Sequence, residues 1–300
     1  MPRSTFVFAF IVLTLTAGVI PARAQDTAQV SQNYVEVKSR DGTTYRGMIV
    51  AQDEKSVTVK TLQGFDIVFP REMIESIKPL RGQVTARGFR RADRNYSRLL
   101  LSPTGRPLRQ GEGYFNDLYI FFPSAAFGVT NNLSVLAGFS IIPGVGLDDQ
   151  LFYFAPKFGI RASDRFSASV GALYMAWYGL DETVSAGMLF AVGTYGSDDL
   201  SVTFGTGLGY AKLEDEETQW AKHPVFILGG SWRLGNSIAL VSENWVIGGK
   251  DFRLNEQPFV LALRFLGDRL SADFGAILVG EILDAGFPIP WLSITYNFGK

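Results

Sequence analysis

The chain has 300 residues, a formal net charge of −1 at pH 7 and no cysteine, which excludes disulfide bonds, cysteine-ligated metal sites and thiol chemistry. Its 28 basic and 29 acidic residues nearly cancel, so bulk charge favours no polyanionic partner. It is 47% hydrophobic with 24 Phe, 11 Tyr and 32 Gly, yet beyond the N-terminus no apolar run reaches the roughly 20 residues of a spanning helix.

The first 24 residues are typical of a secretory signal peptide. Pro2-Arg3 precedes an apolar run from Phe6 to Ile20, and the small residues Ala22 and Ala24 stand before the expected cleavage point. A membrane anchor is the alternative, but a run of about 15 residues is short for a spanning helix. We therefore expect an exported protein.

Residues 33–80 predict a small separate β domain. Alternating segments begin at Tyr34, Tyr45, Val57, Phe65 and Ile74. The hairpin signal Asp41-Gly42, Gly47 on the second strand and the closing pair Ile74 and Ile77 resemble an Sm-like or SH3-like small barrel. Such barrels often bind RNA or peptides. Because the chain is exported, we expect a periplasmic peptide or peptidoglycan partner here and no nucleic acid.

An arginine-rich stretch follows this domain. Residues 81–109 contain eight Arg and one acid, Asp93. We interpret residues 81–94 as a linker at a membrane surface, where arginines meet anionic phosphates or carboxylates of a barrel interior. A solvated basic linker is the alternative.

A unit recurs about every 32 to 38 residues through the last two thirds of the chain. Each copy is a short polar turn followed by an alternating apolar stretch, and the copies begin at Asn131, Ser163, Ser197, Gly235 and Gly267. Tight turns on one side with longer loops between copies are typical of an antiparallel barrel of the bacterial outer membrane.

The turns define eleven strands. These cover residues of about 114–129, 132–142, 151–162, 165–178, 184–195, 199–211, 223–234, 237–247, 257–266, 269–281 and 288–298. Because bacterial single-chain barrels have even strand numbers, we assign residues of about 95–103 as the twelfth strand. The predicted fold is all-β: an antiparallel transmembrane β-barrel of about 12 strands over residues 95–298, preceded by a small five-stranded SH3-like or Sm-like domain.

Alternation divides each strand into two faces. Phe166, Ala168 and Val170 share one face, whereas Ser167 and Ser169 share the other. A period of two does not say which face lies inside. Export and aromatic content favour apolar side chains toward lipid and small polar ones toward the interior.

From about residue 95 onward the chain resembles outer-membrane β-barrel proteins of Gram-negative bacteria. In that group an aromatic residue commonly ends the last strand, whereas here Phe298 is followed by Gly299-Lys300. Ser102–Leu108 and Gly111–Tyr114 are similar to a segment of uncharacterised barrel proteins from environmental and Bacteroidetes-type bacteria, which implies no activity. The resemblance implies outer-membrane lipid and the barrel assembly machinery as partners, with the N-terminal domain in the periplasm.

Charged residues within the predicted strands are expected to face the interior, because a charge facing lipid is costly. The lumen-lining candidates are Lys157, Arg161, Arg233, Glu243, Arg264, Asp273 and Glu281. They either pair into a plug or line a polar path, which predicts a narrow or plugged channel for small solutes, or a structural membrane protein. Aromatic residues near strand ends are expected at the lipid interface: Trp177, Tyr178, Trp220, Trp245 and Trp291.

Two further functions stay open. His223, the only histidine, lies beside the acidic stretch Glu214–Glu217, and a hydrolase acting on membrane lipid would pair it with a serine. The other alternative is a soluble periplasmic β-protein that carries a lipid. We expect no enzyme activity, no metal site and no cofactor.

Overall fold

A computed structural model describes residues 34–80, 82–85, 88–146, 149–178, 183–213, 216–249, 252–280 and 288–299. The predicted signal peptide and Glu281 lie outside these ranges. Regular structure is almost all β, with short 3-10 turns at Arg71–Met73 and Leu254–Glu256. In the described ranges no helix has the length and apolar character to cross a membrane.

The N-terminal unit is a five-stranded antiparallel sheet. Its strands are β1 (Tyr34–Ser39), β2 (Thr44–Gln52), β3 (Ser56–Thr61), β4 (Asp66–Pro70) and β5 (Ile74–Pro79), in the order β4-β3-β2-β1-β5. Alternation places Val35, Val37, Val57, Val59 and Phe69 in one buried cluster. The five-stranded domain is therefore confirmed, while its kinship to Sm-like or SH3-like barrels stays a prediction.

A two-stranded hairpin, β6 (Gly82–Thr85) and β7 (Gly88–Arg91), occupies the predicted linker. The Phe89 ring stacks on Tyr34 of the small sheet with ring centroids 4.4 Å apart. On the other side Arg90 pairs with Asp199 and Arg91 with Asp268, both in tight turns of the large sheet. The hairpin thus joins the two β structures.

The remaining strands form a closed antiparallel barrel of twelve strands, as predicted. They are β8 (Gly113–Leu118), β9 (Phe122–Gly128), β10 (Leu133–Phe139), β11 (Leu151–Arg161), β12 (Phe166–Trp177), β13 (Val184–Gly196), β14 (Leu200–Leu213), β16 (Val225–Arg233), β17 (Ile238–Ile247), β18 (Phe259–Leu266), β19 (Leu270–Leu278) and β20 (Ile289–Phe298), with β15 (Gln219–Trp220) as a two-residue addition to β14. Pairing of β20 with β8 closes the ring.

The apolar faces of the barrel strands point outward. On β18, Leu261, Leu263 and Phe265 are exposed, whereas Ala262 and Arg264 between them are buried. The last strand repeats this arrangement, because its serine, threonine and asparagine side chains are buried and its leucine, isoleucine and tyrosine side chains are exposed. The predicted orientation, with apolar side chains away from the interior, is confirmed.

Two of the predicted strands are wrong, although the predicted total of twelve barrel strands is right. Residues 95–103 form no barrel strand, and the ladder contact described for them is one isolated bridge from Arg98 to Pro103. The predicted strand 114–129 is instead two strands, joined by a turn at Tyr119 and Ile120 with φ of 55° and 70°. Positive φ at both central residues is the two-residue hairpin turn that usually takes Asn-Gly, so the apolar sequence concealed it.

The barrel wall differs in height around the ring. Strands β8, β9 and β10 have 6, 7 and 7 residues, whereas β11 to β14 have 11 to 14. A strand needs about 9–11 residues to span a bilayer core. The five polar turns that begin at Asn131, Ser163, Ser197, Gly235 and Gly267 lie at the other end of the barrel, so the rim away from them is low at the β8–β9 hairpin.

Candidate functional site: the plugged barrel interior

Residues 95–109, here called the plug segment, run through the inside of the barrel. Asn95, near its start, is buried, and its side-chain amide donates to Ser271 of β19 (2.9 Å). The chain turns back at an apex where the Leu99 N–H donates to the Ser102 carbonyl (2.8 Å). The segment then returns toward the start of β8, which lies beside the β9–β10 turn. Both arms therefore lie within the barrel.

Glu243 on β17 holds the apex. Its carboxylate accepts hydrogen bonds from the backbone N–H groups of Leu100 (2.9 Å), Leu101 (3.0 Å) and Ser102 (3.0 Å). It also accepts from the Ser102 hydroxyl (2.7 Å) and from the indole N–H of Trp245 (2.9 Å). Glu243 is 1% exposed. A buried carboxylate with this many donors is compensated by hydrogen bonds, as burial of a charge requires.

Arg264 of β18 and Asp273 of β19, on the two strands that follow β17 in the ring, hold the plug segment beside Glu243. Arg264 donates to both carboxylate oxygens of Asp273 (2.7 and 3.0 Å) and to the Leu99 carbonyl (2.6 Å). Within the plug segment, Arg98 donates to the Leu100 carbonyl (2.6 Å) and to Thr295 of β20 (2.5 Å). Arg98 and Arg264 thus share Asp273 from two sides. All three side chains are buried, so the removal of any one of them would leave an uncompensated buried charge.

The returning arm is bound by strands β11, β12 and β13 of the barrel wall. The Lys157 ammonium donates to the carbonyls of Ser97 (2.8 Å), Thr104 (3.2 Å) and Arg106 (3.0 Å). The Gly105 N–H donates to the Thr194 hydroxyl (2.9 Å). A Cβ at Gly105 would lie 2.2 Å from the Ser167 carbonyl oxygen, so the chain comes close enough to the wall to require glycine.

Apolar contacts complete the seal at the apex. Leu99 and Leu100 pack in one buried cluster with Val241, Val260 and Trp291. Beneath it, a cavity of about 20 Å³ is lined by Asp93, Arg98, Arg106 and Ser231 among others, and a space of this size has room for about one water. The plug segment therefore fills the interior at this level.

The predicted lumen residues divide into three groups. Lys157, Glu243, Arg264 and Asp273 are buried inside and meet at the plug segment. Arg233 is buried near the tight turns, where its backbone N–H donates to the Asp199 carbonyl (2.7 Å). Arg161 is exposed at the strand end, and Glu281 is outside the described residues. Arg98 was not predicted, because its segment was taken for a strand.

The five aromatic residues predicted at the lipid interface differ in side-chain exposure. Tyr178 and Trp220 are 53% and 50% exposed. Trp291 belongs to the interior cluster, Trp245 donates to Glu243, and Trp177 follows the inward register of β12, so these three do not face outward. Outward aromatics beside the tight turns were missed, and they are Phe166, Tyr195, Trp232 and Tyr296.

His223 lies exposed just before β16, beside Gly248. Within the described ranges no hydrogen bond joins it to a serine, and no group of three metal-ligating side chains is found there.

A closed antiparallel ring with an apolar exterior and a polar, filled interior is an outer-membrane-like β-barrel fold. No protein-family model matches the chain, and no curated protein is similar to it. Among solved structures, outer-membrane expressed OmpT of Vibrio cholerae matches over 89% of this chain and 95% of that chain, with 9% identity and a TM-score of 0.34. This likeness is too distant to bear on fold or function.

Proposed function

We propose that this protein is an outer-membrane β-barrel whose small domain lies in the periplasm and whose lumen the plug segment closes at rest. The apolar exterior supports the membrane location, because exposed rings such as Phe204 and Phe274 (56% and 60% exposed) would be unfavourable in water. The tight turns and the hairpin that contacts them lie at the same end, which supports a periplasmic small domain.

The observation that supports a closed lumen is the contact at Glu243, whose carboxylate binds three successive backbone N–H groups of the plug segment. With this contact intact, we expect the apex to block the passage of a small solute. Withdrawal of the plug segment would open a narrow channel, and a plug that never withdraws leaves a structural protein that links the membrane to a periplasmic peptide or peptidoglycan.

Conductance in planar bilayers tests the closed lumen. We expect the wild-type chain to be nearly silent and Glu243→Gln, which loses the charge and one acceptor oxygen, to open frequently. Glu75→Gln, which changes an exposed carboxylate of the small domain, is the matched control and should stay silent. A wild type with large steady steps would refute the plug, and a silent, folded Glu243→Gln variant would leave the structural role.

Two other functions find less support. A lipid hydrolase needs a serine beside His223, and the exposed position of this histidine offers no orienting partner in the described ranges. A soluble lipid carrier would place its apolar side chains inside, the reverse of the barrel faces. Cell fractionation tests the carrier, and a lipid-hydrolysis assay of His223→Ala tests the enzyme.

A further inference from the structure

The inner wall of the barrel changes character beyond the plug segment. On β13, Thr194 contacts the plug, so alternation also turns Val192, Phe190 and Met188 inward. On β12, the Ser169 hydroxyl donates to the Thr104 carbonyl (3.4 Å). We name the inward residues past these contacts the inner apolar strip, and its members are Leu173, Met175, Trp177, Met188, Phe190 and Val192.

The strip lies flat on the wall. A Cβ at Gly207 would lie 2.2 Å from the Met188 sulfur, and a Cβ at Gly171 would lie 2.4 Å from the Phe190 ring. Glycines on neighbouring strands therefore let these large side chains lie along the wall, away from the barrel axis. From Val184 to Phe190 the face extends about 20 Å at roughly 3.3 Å per residue, which suits a linear ligand.

The strip is open and uncharged. Its members other than Val192 are only partly buried, and Leu101 at the apex of the plug is 56% exposed. Neither β12 nor β13 contains a charged residue. Above Leu101, strands β12 and β13 therefore present an apolar surface that carries no charged side chain to bind an ion.

The low rim gives this surface access to the membrane. The β8–β9 turn projects Ile120, which is 74% exposed, next to Phe121, which is 41% exposed. Ile120 has a φ of 70°, a conformation unfavourable for a β-branched residue. A strained, exposed isoleucine in place of asparagine or glycine points to an apolar contact at this position. Just inside this rim, Leu118 packs against the interior cluster that contains Leu99, Leu100 and Trp291, so apolar side chains lie on both sides of the rim.

We propose that the inner apolar strip binds the acyl chain of a fatty acid that enters from the outer leaflet over the low rim. This inference rests on the proposed membrane location. The chain lies along β12 and β13 above Leu101, and its headgroup stays in water at the rim. The protein would then be a receptor for a single-chain lipid, with the plug segment as the floor of the site.

Photolabelling in lipid nanodiscs tests this proposal. The full chain is irradiated with a palmitic acid that carries a diazirine on its alkyl chain, and the adducts are mapped by mass spectrometry. We expect adducts at Met175 and Met188 that excess unlabelled palmitic acid abolishes. The double variant Met175→Gln, Met188→Gln should lower the labelling of the unchanged strip residues, such as Leu173 and Phe190, by about tenfold or more, the discrimination typical of a changed apolar pocket. Met48→Gln in the small domain is the control.

The outward residues Tyr174 and Leu189 of the same strands report separately on the membrane location. Adducts confined to these two would overturn the acyl-chain site and leave the membrane location standing. Adducts at Met175 and Met188 without any at Tyr174 and Leu189 would support the site and contradict the membrane location. Because Tyr174 and Leu189 are unchanged in the double variant, their labelling also shows that the variant has assembled.

Discussion

The small sheet and the large barrel use the same alternation with opposite results. In the small sheet Val37, Val57 and Val59 are fully buried at the centre, whereas the barrel exposes Leu270 and Phe274 by 56% and 60%. Its own centre is filled by a separate chain segment instead. A period of two therefore defines two faces but not which one lies inside. In the barrel the inner face binds the polar backbone of the plug segment, which leaves the apolar face outside.

The largest effect is expected where the barrel departs most from the small sheet, at its polar centre. Glu243→Ala removes the acceptor of three buried N–H groups at the plug apex, and we expect a loss of about 3–5 kcal/mol in the free energy of unfolding. Urea denaturation in detergent measures it. A loss below about 1 kcal/mol would mean that the plug segment is held weakly.

Because the barrel exposes its apolar face and the small sheet buries it, we expect an added charge on the exposed surface to destabilise the barrel more than the small sheet. Phe274→Arg places a charge on the outer face of β19, at an expected cost of about 2–4 kcal/mol in a bilayer. Val68→Arg changes a residue of the small sheet that is equally exposed, at 60%, and should change stability by no more than about 0.5 kcal/mol. Refolding into vesicles measures both variants. Equal costs would contradict a lipid-facing barrel exterior.

The strained turn of the low rim offers a smaller effect of opposite sign. Ile120→Asn relieves the positive φ, because asparagine tolerates this conformation, and should stabilise the barrel by about 1 kcal/mol. The same change removes the apolar tip, so palmitic acid labelling of Met188 should fall. A stabilised variant with unchanged labelling would separate the turn from the fatty-acid site.

The smallest effect belongs to a turn of the small sheet. The Asp53 carboxylate accepts from the N–H groups of Lys55 (2.8 Å) and Ser56 (2.7 Å), and these bonds lower the pKa of Asp53. A lowered folded-state pKa gives stability that is present above the unfolded value of about 3.9 and is lost as pH falls below it. The protection factor of the Lys55 amide against hydrogen exchange should therefore fall in acid, and Asp53→Ala should remove this pH dependence.

Much of the fold could be predicted from turn chemistry. The polar turns beginning at Asn131, Ser163, Ser197, Gly235 and Gly267 carry the residues that tight turns require, and each separates two observed strands. The turn at Tyr119 and Ile120 carries none of them and was read as continuous strand. Without this turn the sequence predicts eleven strands, an odd number. The apolar run Leu99–Leu101 was therefore assigned to a twelfth strand.

The site could be predicted only in part. Burial cost alone places Lys157, Glu243, Arg264 and Asp273 inside, but it does not name their partners. Lys157, Glu243 and Arg264 bind backbone carbonyl and N–H groups of the plug segment, and no side-chain pattern predicts such contacts. The inner apolar strip is implicit in the sequence, because alternation from the inward residues Ser169 and Thr194 turns Leu173, Phe190 and Met188 to the same face.

The hydrogen bond between Arg98 and Thr295 joins positions 197 residues apart. The strand pair that shuts the ring, β8 and β20, cannot form until the whole barrel sequence has been synthesised. Maturation of this protein should accordingly be slow, as contacts of high sequence separation imply, and chains truncated before β20 should remain open sheets.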